Sequence, residues 1–340
     1  TLLLPKISNR REDVSNIAEK IVTILKKPFL VDGHELYVSA SIGISMYPKD
    51  GENMDTLIKN ADVAMYHVKG QGKNGYKFFS SDMNTPYFRS LSLDTGIHKA
   101  LNNDEFHLLY QPQVDLKTGE IVGVEALLRW EHPEHGTISP NEFIPFAEET
   151  GMIVDIGNWV IKTALKELKR WRDAGLPEIR MAVNISTRHL AEKNIVKTIN
   201  SALKNSGIPG NCLEIEITEN AIMDDMDSVI QKLKKLACNG ITIAIDDFGT
   251  GYSSLSKLKQ LPIKELKIDK SFIVDIENNE EDAAITAASI QMAHSLGLVV
   301  VAEGIEDEKQ YQKLETMGID YGQGYLLSKP LPPAQVIEYL

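Results

Sequence analysis

The chain reads as an α/β protein. Its main part is a (β/α)8 TIM-like barrel with an antiparallel first strand, preceded by a smaller, partial α/β domain. Three observations predict this. Apolar strand-like runs alternate with amphipathic helical runs over residues 101–340. The runs start near His107, Ile121, Ile179, Leu213, Ile241, Ile263, Leu298 and Asp320, eight in roughly 240 residues, close to the usual barrel size. Most of them end in a residue able to bind a cation or a phosphate, which is where such a barrel carries its functional groups.

Residues 1–80 read as a small α/β unit. "TLLLP" is expected to be a short strand, and "REDVSNIAEKIVTILKK" a helix, from the spacing of Val14, Ile17, Ile21 and Ile24. "FLVDGHELYVSASIGISMYP" reads as a hairpin turning at Asp32-Gly33. "NMDTLIKNADVAMYHVK" is a second helix, ended by "GQGKNG", and "YKFF" a last strand. Residues 81–100 lead through a linker helix into the barrel at 101–340. The first two barrel strands are joined by "DLKTGE". That is too short for a parallel crossover, so they pair antiparallel.

The strand ends carry the chemistry. "IVGVEALLR" delivers Glu125 and Arg129, "IRMAVNIS" Asn184, and "CLEIEITE" Glu216 and Glu219. "ITIAIDDFGTG" delivers Asp246 and Asp247, "IKELKIDKS" Lys267, "GLVVVAEGIE" Glu303 and "YGQGYLLSKP" Gln323. Adjacent carboxylates at a buried strand end repel, and a divalent cation removes that cost. The neighbouring glycines would let backbone approach a ligand closely. Oxygen donors suit Mg²⁺ or Mn²⁺ and argue against a thiolate zinc or copper site. Taken singly, Asp246 is also an N-cap, Glu219 and Asn220 are helix caps, and Lys267 is a solvated lysine. His132 and His135 flank Pro133 and read as a structural loop.

Composition narrows the partners. Lys and Arg number 36 against 48 Asp and Glu, a formal charge of −12. Such a chain lacks the broad basic face that polymeric DNA or RNA needs, yet can bind a small phosphorylated ligand through metals. Cys212 and Cys238 are the only cysteines, which fits a reducing cytoplasm. No apolar run is long enough to span a membrane. The chain opens on Thr1, and an upstream sensor or membrane anchor is expected.

The ordered set "LLYQPQV", "EALLRW", "AVNIS", "LEIEITE", "DDFGTGYSSL", "LKIDKSF", "VAEGIE" and "GQGYLLSKP" resembles the EAL family of cyclic-di-GMP phosphodiesterases over about residues 90–340. Residues 1–80, with "VSASIGIS" and "ADVAMYHVKGQGKNGYKFF", resemble the C-terminal half of a GGDEF diguanylate cyclase domain. The GGDEF signature itself is absent from this sequence. Lys69 and Lys73 match family positions that touch GTP phosphate, but this stretch alone is expected to make no cyclic-di-GMP.

The resemblance implies a two-metal hydrolase acting on cyclic-di-GMP and releasing linear pGpG. Glu125, Asn184, Glu216 and Asp246 would hold one Mg²⁺ or Mn²⁺, and Asp246, Asp247 and Glu303 the other. Lys267 would position the attacking water and stabilise negative charge, and Glu303 would accept a proton. Gln111, Leu127, Arg129 and Gln323 would contact substrate or order the site around it, and Glu219 would hold the "DDFGTG" loop. Ca²⁺ is expected to bind and inhibit. A homodimer through the EAL domain is a further expectation, with Tyr252, Leu255 and Leu258 as contacts. The alternative function is a non-catalytic cyclic-di-GMP receptor. Members of that kind have lost part of the metal set, and this sequence keeps it. Spacing and ligand type alone also permit another phosphoester.

Overall fold

The computed structural model describes residues 1–4, 11–26, 29–31, 34–36, 38–70, 74–80, 83, 96–222, 226–249 and 258–339. The chain divides into two units, Thr1–Gly96 and Ile97–Leu340.

In the first unit, α1 (Arg11–Leu25) is followed by β1 (Phe29–Val31) and β2 (His34–Leu36). These two strands pair antiparallel, with Val31 opposite His34; the Asp32-Gly33 turn expected between them lies outside the described residues. The hairpin ends sooner than expected. β3 (Ser41–Ile44) leaves it and pairs in parallel with β4 (Gly75–Phe78), across α2 (Met54–Gly70). A parallel pair needs such a crossover helix. Thr1–Leu4 form no strand, contrary to the expectation. The helices bury an apolar stripe: Val14 and Ala18 of α1 pack with Ile44, and Val63 and Ala64 of α2 with Phe79. Lys73, most of the 81–95 stretch and the side chain of Lys69 lie outside what is described.

The second unit is a closed barrel. It uses β5 (Phe106–Asp115), β6 (Ile121–His132), β8 (Arg180–Asn184), β9 (Leu213–Thr218), β10 (Thr242–Phe248), β11 (Glu265–Ile268), β12 (Val299–Glu303) and β13 (Tyr321–Gln323). The strand order runs β5-β13-β12-β11-β10-β9-β8-β6 and closes through β5–β6. Pairing is parallel from β6 round to β13, and β5 is antiparallel to both its neighbours. The short β5–β6 connection fixes that direction. A small strand, β7 (Gly136–Ile138), extends β6 outside the ring. Its hairpin stacks the His132 and His135 rings 4.7 Å apart.

The outer helices are α3 (Pro140–Thr150), α4 (Ile153–Asp173), α5 (Thr187–Ala191), α6 (Ile195–Ser206), α7 (Met226–Ala237), α8 (Glu280–Ser295), α9 (Glu308–Met317) and α10 (Pro333–Tyr339). The longer ones bury an apolar stripe. In α4, Ile156, Val160, Ala164, Leu168 and Trp171 follow the helical period and are all buried. Gly157 lets the buried His189 ring lie against this helix, for a Cβ there would come within 2.4 Å of its Nδ1. Leu258 is 2% exposed and packs inside the unit, so it is not available as a dimer contact. Tyr252 and Leu255 lie outside the described residues. No helix among the described residues is long and apolar enough to cross a membrane.

Candidate active site at the barrel mouth

Parallel strands that close a barrel bring their C-terminal ends to one rim. Side chains alternate along each strand, so residues two apart share a face. On β6, Glu125 points inward, and Leu127 and Arg129 follow on the same face nearer the rim. Register puts Gln111 of β5 opposite Glu125 and Asn184 of β8 beside Glu216 of β9. Glu303 of β12 lies beside Gln323 of β13.

These groups converge on Lys267. Its Nζ lies 2.7 Å from Glu216 Oε1 and 2.7 Å from Glu303 Oε1, and 3.4 Å from both Glu125 Oε2 and Asp246 Oδ1. Lys267 is fully buried, which excludes a solvated loop lysine. Burial works against charging it, but Asp246, Glu125, Glu216 and Glu303 outweigh that and hold its pKa above the ordinary lysine range.

One ammonium cannot balance four carboxylates. Burial, then the charge of Glu125, pushes the Glu216 carboxyl well above its usual range. Burial pushes Glu303 up to about 8. Glu125 goes the other way. Burial would raise it, but the Lys267 charge and amide hydrogen bonds prevail and lower it. Asn184 Nδ2 donates to Glu125 Oε1 at 2.6 Å and Gln323 Nε2 to Oε2 at 2.6 Å. Gln323 Nε2 also reaches Gln111 Oε1 at 3.1 Å, and Gln111 Nε2 donates to the Ser328 carbonyl at 3.0 Å. Gln323 therefore braces Glu125 and is itself held by Gln111, a linkage that strand patterning alone did not reveal.

Asp246 and Asp247 are consecutive and should face opposite sides of a regular strand. Here the β10–β11 register shifts between Ile245 and Phe248, and Asp247 takes a φ of 53°. This bulge re-aims the second carboxylate. Ligand atoms of Asp246, Asp247 and Glu303 consequently lie within 4.8 Å of one another. Burial, then the Asp246 charge, raises Asp247 to about 6. Gly249 follows with a φ of 102°, and a Cβ there would meet the Phe272 ring at 2.7 Å. Backbone conformation and packing thus each require a glycine at this position.

The residues present fit a divalent cation. The donors are oxygens, the carboxylates exceed the available positive charge, and the buried Glu216 Oε2 has no hydrogen-bond donor among the described residues. Glu219 is 2% exposed, with both carboxylate oxygens unpartnered among the described residues. The loop it is expected to hold, residues 250–257, lies outside them. Arg129 is half-buried at the rim, and desolvation lowers its pKa.

A second polar layer sits beneath. Arg180 Nε lies 3.1 Å from Glu214 Oε2, and Arg180 Nη2 lies 2.8 Å from Glu265 Oε2. Glu214 and Glu265 are two residues before Glu216 and Lys267, so strand alternation could have found them. Burial, then the Glu265 charge, raises Glu214 to about 8.

Residues 95–330 match the family model described as "EAL domain". The chain belongs to the EAL domain family. Residues 1–75 match "Diguanylate cyclase, GGDEF domain". Among curated proteins, the EAL-containing chain is 44% identical to the bifunctional diguanylate cyclase/cyclic di-GMP phosphodiesterase MucR of Pseudomonas aeruginosa, over 96% of this chain and 47% of that protein. It is 38% identical to the cyclic di-GMP phosphodiesterase PdeR of Escherichia coli, over 93% and 48%. It thus spans about half the length of the curated relatives it matches. Among solved structures, the EAL barrel is similar to one described as "PaMucR Phosphodiesterase, c-di-GMP complex". That likeness has 42% identity and a TM-score of 0.70, covering 72% of this chain and 99% of that one.

Proposed function

We propose that this chain hydrolyses cyclic-di-GMP to linear pGpG at the barrel mouth, with two Mg²⁺ or Mn²⁺ ions held by the carboxylate set. The observation that carries the reading is the convergence of Glu125, Glu216, Asp246 and Glu303 on Lys267, in a family whose relatives bear phosphodiesterase names.

Glu125, Asn184, Glu216 and Asp246 would hold one cation, and Asp246, Asp247 and Glu303 would hold the other. Cations bound there would offset the phosphodiester's charge and lower the pKa of water to near neutral pH. The water oxygen adds to phosphorus, the P–O3′ bond breaks, and a proton returns to the departing O3′. Glu303 accepts the proton lost by the water. Lys267 stabilises the negative charge that develops on the phosphoryl oxygens. Arg129 binds a phosphate oxygen at the rim, Leu127 packs on the nucleotide, and Glu219 supports the loop after Gly249.

A competition assay tests the substrate class. Turnover of bis(p-nitrophenyl) phosphate should be suppressed by cyclic-di-GMP well below the concentrations at which other cyclic dinucleotides act. Equal suppression by all of them would point to a general phosphodiesterase. Tight cyclic-di-GMP binding with no turnover of either substrate would favour the non-catalytic receptor.

A further inference from the structure

The formal charge of −12 conceals a basic face on the outside of the barrel, on helices that lie between the EAL motifs in sequence. Lys162, Lys166 and Lys169 of α4 line one bank of a furrow, with Lys197 of α6 on the other. A second furrow runs along the other side of α6. Lys193, Lys197 and Lys204 line it from α6 and the residues before it. Lys232 and Lys235 line it from α7. No Asp or Glu lines either furrow, in a chain where acids outnumber bases 48 to 36. Lys169 pairs with Asp173 at 3.4 Å, and Lys232 donates to the Leu190 and Ala191 carbonyls. The other six form no ion pair among the described residues.

From this charge pattern we propose that the α4–α6–α7 face is a docking surface for a short acidic segment of a partner protein. Two observations select that occupant. Amides and hydroxyls lie between the lysines, including Thr198, Ser201 and Gln231, beside the aliphatic Leu165, Val196 and Ala202. The amides and hydroxyls reach a backbone that enters a furrow, not a planar bilayer. No large exposed apolar side chain lies on α4, α6 or α7 among the described residues, so nothing there would wedge into lipid. The charged side chains are lysines, point charges suited to carboxylates. Planar guanidinium forks, which grip carboxylate or phosphate bidentately, are absent from the two furrows, so the contacts there are point-charge contacts. Screening over about 8 Å at physiological salt lets a short segment feel the local lysines alone. A membrane or a long nucleic acid would also meet the acidic remainder of the molecule.

Fluorescence anisotropy of a labelled peptide of alternating Glu and Gly, titrated with the full chain, tests this. Binding is expected at low salt and should weaken as salt rises. The triple variant Lys193→Glu, Lys197→Glu, Lys235→Glu should weaken it by at least about tenfold. The neutral variant Lys193→Gln, Lys197→Gln, Lys235→Gln should weaken it less, and thermal melts establish that each variant folds. The control Lys20→Glu, Lys117→Glu, Lys313→Glu reverses three other exposed lysines and should leave affinity nearly unchanged. An equal loss in the control, or no binding by the parent chain at low salt, would overturn the proposal. So would tighter binding of anionic vesicles or duplex DNA to the same lysines.

Discussion

The Lys267 ammonium lies 2.7 Å from the Glu303 carboxylate, at the ends of two strands paired in parallel. Both are inside the barrel, so the pair is not a surface ion pair of marginal value. It joins the lysine to the carboxylate proposed to take the proton from water. Lys267→Ala should lower turnover by about 10²–10³-fold while leaving the dissociation constant for cyclic-di-GMP within a few fold. Comparing kcat with equilibrium binding checks this, and near-normal kcat would remove Lys267 from the chemistry.

Asp246 reaches Lys267 at 3.4 Å and shares a ligand cluster with Asp247 and Glu303. Asp246→Asn should abolish turnover and remove most Mn²⁺ binding measured by calorimetry. Asp247→Asn should weaken the second ion more than the first. Equal, unchanged Mn²⁺ binding in both variants would contradict the shared-ligand assignment.

The ligand oxygens do not exclude Ca²⁺ from the site, but geometry should separate binding from turnover. Mg²⁺ prefers compact octahedra near ~2.1 Å, and Ca²⁺ prefers ~2.3–2.6 Å with more ligands. Added Ca²⁺ should therefore inhibit a Mg²⁺-supported reaction while substrate stays bound. Equal rates with either ion would count against a tightly held pair of cations.

A stability prediction concerns His189, which is 1% exposed and whose Nε2 lies 3.2 Å from Asn158 Oδ1. Burial holds it neutral, lowering its pKa from 6.5 to about 4 against the opposing Asp155 charge. The unfolded chain therefore binds more protons than the folded one between those values, and acid favours unfolding. Urea midpoints should fall from pH 7 to pH 5. The fall should be smaller in His189→Gln, since other groups titrate equally in both chains. An identical pH dependence would show that His189 does not titrate on unfolding.

Much of the barrel is legible in the sequence, for physical reasons. Strands buried on both faces are continuous in Val, Ile and Leu, and their polar ends stand out. The eight starts fall within two residues of the observed strands. The short "DLKTGE" link made β5 antiparallel. What stayed hidden depends on departures from alternation or on packing. Asp247 joins Asp246 only through a bulge, Gly249 makes room for Phe272, and Leu258 belongs to the core. The basic face is invisible to net charge because helices α4 and α6 place distant lysines together. The early end of the first hairpin was hidden too, since β3 finds its partner beyond a helix.

The most direct test is incubation of the chain with cyclic-di-GMP and Mg²⁺, followed by chromatographic separation of the products, with a chelated sample and Asp246→Asn beside it. Linear pGpG should accumulate as the substrate disappears, and neither control should form it. Substrate recovered intact from the Mg²⁺ sample, or equal turnover in all three, would contradict a metal-dependent phosphodiesterase at this barrel mouth.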